Sequence, residues 1–486
     1  MTQLNLTQGL FNRYGSDTVT NTNSATNQDV TAIYNSATIV TGIGSDQIVG
    51  VANLLDSLVS ATTTTTTTTS ACGSSYFCAS YDTEFSATGV WNNGGSITFG
   101  SGVDLLSGTA NVTVTGANKY EVDSIGFDNY GCYASVVFGD GNDQVIGNSN
   151  ITVNVDTTAN LLSTGIENYK GTIKTGGGTD SITGNSVVTL STTNVPNIFA
   201  VGIDNHYGTI IMGGCSGNDQ IIGTATISTS GGGIIPDAVV ASPATTTASP
   251  SCTTTTTTTP SCGGGGSNTS SGCGGGSYTP PLNASVDTIG LENYSGTITL
   301  GNGNDTLSGI ATINGGANGA VGIYNTGSIS LGNGTDTVSG IASVTGGTYA
   351  LGLYNSGTIA FGTGADTLIA RASITGLAPQ AVTIDGGGTI TMSGTKNYFS
   401  GFGNQTVLAG STNNYSYCGG YSQNTTTNQN TIDLSFVTQA SIGITLGSSY
   451  NNTVAFNYAG VTMKTSGFNN FVFADGTYTY FQLKSH

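Results

Sequence analysis

Basic residues are nearly missing from this chain. Its 486 residues include eight Lys and Arg against 26 Asp and Glu, a formal charge of −18. A surface so poor in cations repels phosphate backbones, so nucleic acid is not expected as a partner. Charged residues are only 7% of the total, which argues against helices laced by salt bridges, and no convincing amphipathic helix can be read. No apolar run is long enough to span a bilayer, so no membrane span is expected. The stretch Met1-Thr2-Gln3-Leu4-Asn5-Leu6-Thr7 lacks the basic and apolar regions of a cleaved signal peptide. Histidine is confined to His206 and His486.

What is abundant is glycine, 75 residues of it, set with Thr, Ser and Asn among β-branched residues in the manner of short strands and turns. The stretch Leu300-Gly301-Asn302-Gly303-Asn304-Asp305-Thr306-Leu307 is the theme on which the chain varies. A glycine-rich turn closing on aspartate recurs at Asp46, Asp104, Asp143, Asp180, Asp219, Asp305, Asp336 and Asp366. An asparagine precedes each, at Asn35, Asn92, Asn129, Asn168, Asn205, Asn293, Asn325 and Asn355, in phrases such as Gly290-Leu291-Glu292-Asn293-Tyr294. The Asn-to-Asp interval is nearly constant, 11 residues from Asn35 to Asp46 and 12 from Asn293 to Asp305, whereas successive aspartates lie 30 apart at Asp336 and Asp366 but 86 apart at Asp219 and Asp305. A fixed core with one elastic joint is the pattern of a solenoid, whose insertions must leave at a corner.

The expected fold is therefore all-β: a right-handed parallel β-helix of about eight to ten coils. In one coil the strands read as Thr288 to Asn293, Thr297 to Leu300 and Thr306 to about Ile313. Residues 1–31 read as a capping coil and 32–394 as the solenoid, with insertions at about 55–86 and 228–286 at one corner. Residues 395–486 read as a β-rich cap or an assembly and secretion region.

Alternation in Ile33-Tyr34-Asn35 turns the asparagine inward, which predicts a ladder of buried amides bonding coil to coil. The position before it reads Tyr34, Trp91, Asp128, Glu167, Asp204, Glu292, Tyr324 and Tyr354 through the coils. It is expected to face outward, with four stacked carboxylates either solvated or matched to a cation or sugar. Glu167 and Asp204, with Lys170 and His206 nearby, are the natural acid/base pair if the chain is a carbohydrate-active lyase, epimerase or hydrolase. The scarcity of His and of cations to hold an anionic sugar weighs against catalysis, and the expectation is that the chain is not an enzyme.

The insertions carry the unbroken threonine tracts, with Thr62, Thr65, Thr69, Thr253, Thr256 and Thr259 as glycosylation candidates or simply a low-complexity linker. Cys72, Cys78, Cys252, Cys262 and Cys273 lie there too. They read as disulfide staples in an oxidising space, with zinc as a rival that their spacing does not favour.

The turn Gly301-Asn302-Gly303-Asn304-Asp305-Thr306-Leu307, with Gly139-Asp140-Gly141-Asn142-Asp143 and Gly332-Asn333-Gly334-Thr335-Asp336, resembles the glycine-rich nonapeptide of repeats-in-toxin (RTX) proteins, secreted bacterial β-solenoids that bind calcium. The resemblance implies calcium held by the eight turn aspartates; the alternative is an aspartate that caps its tight turn with its own side chain. The chain departs from the family in having one motif per coil and in placing Leu300, Phe138 or Thr175 at the first glycine. More loosely, the composition resembles surface-layer and extracellular matrix proteins. The expectation is an extracellular or cell-surface structural protein that self-assembles, as a filament, matrix or surface-layer subunit. The alternative is a viral tail fibre or spike that takes cell-surface polysaccharide as its partner.

Overall fold

A computed structural model describes residues 3–6, 15–57, 84–116, 121–157, 160–192, 197–213, 217–229, 288–315, 319–347, 349–375, 383–410, 429–449 and 451–483. The chain winds through three sheets in turn, one strand in each per coil, and every coil lies on the one before. Among the described residues sheet 1 has ten strands, and sheets 2 and 3 have 13 each. The expected coil is found at Thr288–Tyr294 in sheet 1, Thr297–Thr299 in sheet 2 and Thr306–Asn314 in sheet 3. Neighbouring coils pair in parallel with identical register, so Ile182, Ile221, Leu307 and Val338 form one column.

Both ends extend the stack. Thr18–Thr26 pairs along its whole length with Gln47–Asp56, and Leu4–Leu6 lies on Ile33 to Asn35. Parallel pairing also continues past residue 394, through Tyr398–Ser400, Thr431–Leu434 and Asn470–Phe473. Among the described residues antiparallel ladders join Gly443–Leu446, Val454–Tyr458 and Val461–Ser466, and Gly476–Thr479 returns on Asn470–Phe473. Both long insertions connect a sheet 3 strand to the next sheet 1 strand. The cysteine and threonine candidates within them lie outside the described residues.

In cross-section a coil holds two cores. One is a triangle filled from all three sheets, for example by Ile166, Ile173 and Ile182. The other is a flat layer where the first half of each sheet 1 strand faces the second half of each sheet 3 strand, packing Val122 and Leu161 against Val112, Val153 and Val188. A file of buried hydroxyls crosses that layer: Ser149 Oγ bonds Ser124 Oγ at 2.8 Å, and Ser163 Oγ lies 2.7 Å from both Ser149 Oγ and Ser186 Oγ.

Between the two cores the sheets touch backbone to backbone, and glycine is required there. A Cβ on Gly165 would stand 2.4 Å from the amide nitrogen of Asn185 and 2.5 Å from the carbonyl oxygen of Gly202, and one on Gly147 would stand 2.1 Å from the Gly165 carbonyl. At this waist each sheet 1 strand bends. Leu161 and Ser163 point inward, then Ile166 and Asn168, so the two-residue alternation slips by one. The ladder pairs Thr164 with Val201 and Ile166 with Ile203, passing over Gly165.

Candidate functional site

Three columns of functional side chains run along the axis, and the first is the asparagine ladder. Each Nδ2 donates to the Oδ1 of the next coil's asparagine, from Asn35 to Asn92, Asn129, Asn168, Asn205, Asn293, Asn325 and Asn355, at 2.7 to 2.8 Å. Gln405 Oε1 receives the last donor at 3.0 Å. All eight asparagines are 0% exposed.

The turn aspartates make the second column. Each backbone N–H at this position donates to the carboxylate of the coil above: Asp46 N to Asp104 Oδ1 at 2.7 Å, and Asp143 N to Asp180 Oδ1 and Asp219 N to Asp305 Oδ1 at 2.9 Å. The series ends with Asp366 N on Asn397 and Asn397 N on Asn430. Gly303 and Gly334 follow from the same stacking, since a Cβ there would stand 1.4 Å and 1.3 Å from the carbonyl oxygen one coil below.

All eight aspartates are buried, and the Oδ2 of each except Asp219 lacks a hydrogen-bond partner. Asn397 shows what the second atom can do at this position, because its Nδ2 donates to the carbonyls of Met392 and Gly394 at 3.0 Å. Burial pushes the carboxyls up, to about 6 for Asp104, Asp219 and Asp366 and to about 7 for Asp143 and Asp336. Two outcomes follow. Asp336→Ala removes the acceptor for the Asp305 amide and is expected to cost about 1–3 kcal/mol. Asp336→Asn keeps that acceptor and replaces an orphan oxygen with a donor, so its melting temperature at pH 8 should equal or exceed that of the parent.

As a calcium cage the column is poor. Each aspartate has committed one oxygen to a backbone amide, and among the described residues no three His, Cys, Asp or Glu side chains gather as a metal site. Calcium takes roughly six to eight oxygens, more than one uncommitted carboxylate oxygen per coil supplies. Adding a chelator is expected to leave thermal melting unchanged, and a large fall would restore the ion.

In the third column the first of the two expected alternatives, solvated carboxylates, is not what the structure shows. Because the strands from Glu84–Asn93 to Tyr349–Asn355 bend at their waist glycines, the outer face of sheet 1 is concave, and residues on either side of the bend bury one another. Asp128 is 6% exposed and Glu292 2%, while Glu167 and Asp204 are half-buried. The opposite wall carries Thr164, Val201 and Ile289, and Val201, Ile289, Val321, Tyr324 and Leu351 form one apolar cluster there. Spacing alone could not reveal this groove. The signal was the glycine three residues before each asparagine from Asn92 to Asn355, present in the quoted phrase as Gly290, with Ala32 in its place before Asn35.

In register the groove reads Trp91, Asp128, Glu167, Asp204, Glu292, Tyr324 and Tyr354. Tyr34 meets Trp91 edge-on at 5.1 Å, and Tyr324 stacks on Tyr354 at 4.6 Å. Two residues on, on the same face, the rim stacks Tyr130 on Tyr169 at 5.0 Å and His206 on Tyr294 at 4.6 Å. Four successive rungs thus each present a carboxylate beside a ring. Burial raises all four acids, Glu167 to about 7 and Glu292 to about 8, and the neighbouring carboxylates add to it for Asp128 and Asp204.

Asp128 Oδ1, Asp204 Oδ1 and Glu292 Oε1 are buried with no hydrogen-bond partner. His206 is pushed down to about 4, first by burial and then by Lys170, and is neutral near pH 7. Lys170 holds its ammonium 4.8 Å over the Tyr169 ring. Sequence reading brought Glu167, Asp204, Lys170 and His206 together, and they do occupy adjacent rungs. His206 lies within a stack of aromatic rings, in contact with Tyr169, Tyr207 and Tyr294.

The native state holds these carboxyl protons to higher pH than the unfolded chain does. Their stabilisation is therefore complete below the ordinary carboxylate range and drains away as pH rises through about 6 to 8. His206 works the other way, its contribution being lost as pH falls through about 4, but it is one group against many. Melting at pH 5 is expected to exceed that at pH 9 by roughly 5 °C or more. A flat or rising profile would remove the orphan carboxyls from the account.

Comparison of the chain with family models, with curated proteins and with solved structures finds no match.

Proposed function

We propose that this chain is a structural subunit that works outside the cell, a rigid β-solenoid rod that assembles with copies of itself. The observation that carries the reading is the pair of hydrogen-bonded ladders, Asn35 to Asn355 and Asp46 to Asp366, which tie every described coil to the next. Such bonding spends side chains on holding a shape along one axis, as a load-bearing or spacing element requires. Assembly is supported by the sheet edges. Among the described residues the three sheets begin at Leu4–Leu6, Thr38–Val40 and Thr18–Thr26 and finish at Ile384–Asp385, Gly443–Leu446 and Gly476–Thr479. An edge strand offers unpaired backbone groups to another chain. The acidic, cation-poor surface keeps such rods from sticking to polyanions.

Electron microscopy and sedimentation of the purified full chain test the reading. Fibres, sheets or end-to-end multimers are expected as concentration rises. Discrete monomeric rods at every concentration, or turnover of a polysaccharide by those monomers, would defeat it.

A further inference from the structure

The geometry points to the concave face of sheet 1 as a binding site for a linear aliphatic polyamine, laid along the rod axis over Asp128, Glu167, Asp204 and Glu292. Three observations carry it. First, the acids stand one per coil in unbroken register, so their spacing is that of the strands, ~4.8 Å. A three-carbon spacer sets successive amine nitrogens close to that same pitch. Second, the site contains acceptors without donors. Asp128 and Glu292 are more than nine-tenths buried, and Asp128 Oδ1, Asp204 Oδ1 and Glu292 Oε1 have no partner. Buried carboxylates in that condition call for a group that brings both positive charge and N–H donors, which an ammonium chain does at every rung.

Third, the aromatic surroundings suit a cation. Trp91 closes one end of the acidic run and Tyr324 the other. On the adjoining rim the chain's own Lys170 ammonium already rests on the Tyr169 ring, so this surface accepts an alkylammonium on an aromatic face. A divalent ion fits less well, because no three acidic side chains converge on a point among the described residues. A line of single carboxylates matches a line of single charges.

The test is calorimetric titration of the full chain with spermine, a tetraamine with three-carbon outer spacers and a four-carbon central one, at neutral pH and low salt. Saturable binding of one spermine per chain is expected. The paired substitution Glu167→Gln and Asp204→Asn should weaken it at least about tenfold, while Asp140→Asn, an exposed acid away from the groove, should leave it unchanged. Because both changes replace a half-buried titratable carboxyl with a neutral amide of the same shape, circular dichroism is expected to show an intact β fold. If the pair does not fold, Glu167→Gln alone gives the same reading with a smaller loss. Four results overturn the proposal: no saturable binding, equal weakening by Asp140→Asn, an unchanged affinity in the groove variants, or preference for calcium or a neutral oligosaccharide over spermine.

Discussion

Gly165→Ala is expected to prevent the middle of the rod from forming. The added Cβ would enter the space of two backbone atoms, 2.4 Å from the Asn185 nitrogen and 2.5 Å from the Gly202 oxygen, and neither can rotate aside as a side chain could. Relief requires sheets 1 and 3 to separate at the waist, which opens both cores at once and misaligns ladders built on a shared register. Overpacking in a side-chain core costs about 1–3 kcal/mol, and a backbone collision with no room to relax should exceed that. We expect loss of cooperative melting or a fall in yield of folded protein, read by circular dichroism and limited proteolysis. Gly94→Ala is the control, since a Cβ there meets nothing within 4 Å, although its φ of 68° makes it mildly unfavourable. Equal stability of the Gly165 variant and the parent would mean that the sheets do not touch at the waist.

Asn168→Ala is expected to be the most damaging single change of a polar side chain. Its amide donates to Asn205 Oδ1 and the Thr209 carbonyl, and its Oδ1 receives Asn129 Nδ2. Truncation therefore leaves a donor below and an acceptor above, both at 0% exposure, in addition to the space vacated. An unsatisfied buried group costs about 1–3 kcal/mol, so two make a loss of roughly 2–5 kcal/mol. Asn168→Leu, close in volume, should recover little, because the cost lies in stranded partners more than in packing. Asn355→Ala should cost less than the mid-column change, because Gln405 also bonds the Asn355 and Asp385 carbonyls. Chemical denaturation of the three variants ranks them.

Much of this architecture could be read from spacing. The interval between Asn293 and Asp305 is the length of one corner, one three-residue strand and one turn, and in that coil it located the three strands to within a residue. The inward asparagine followed from alternation in Ile33-Tyr34-Asn35 because that half of the strand is regular. Alternation misled where the strand bends. Glu167 sits outward by parity, but parity says nothing about curvature, and curvature decides whether an outward carboxylate meets water or a wall of Thr164 and Val201. Gly165 produces the bend, and a lone glycine in a glycine-rich chain does not stand out from those that make turns. The aspartates were ambiguous for a related reason. Gly-x-Gly-x-Asp suits both an ion cage and a backbone cap, and only the neighbouring coil's amide, 86 residues away in the case of Asp219 and Asp305, separates the two.

The asparagine column also gives the rod a direction. Every described Nδ2 from Asn35 to Asn325 points towards the C-terminal end and every Oδ1 towards the N-terminal end, so the side-chain dipoles add head to tail. The body of the rod is thus electrically unlike along its axis, with donors directed one way and acceptors the other as far as Gln405, which receives the last donor. A second rod abutting in the same sense would continue the polarity, whereas one turned end for end would reverse it. Any fibre grown from this unit should therefore be a one-way structure with two distinguishable ends, able to lengthen at one faster than at the other.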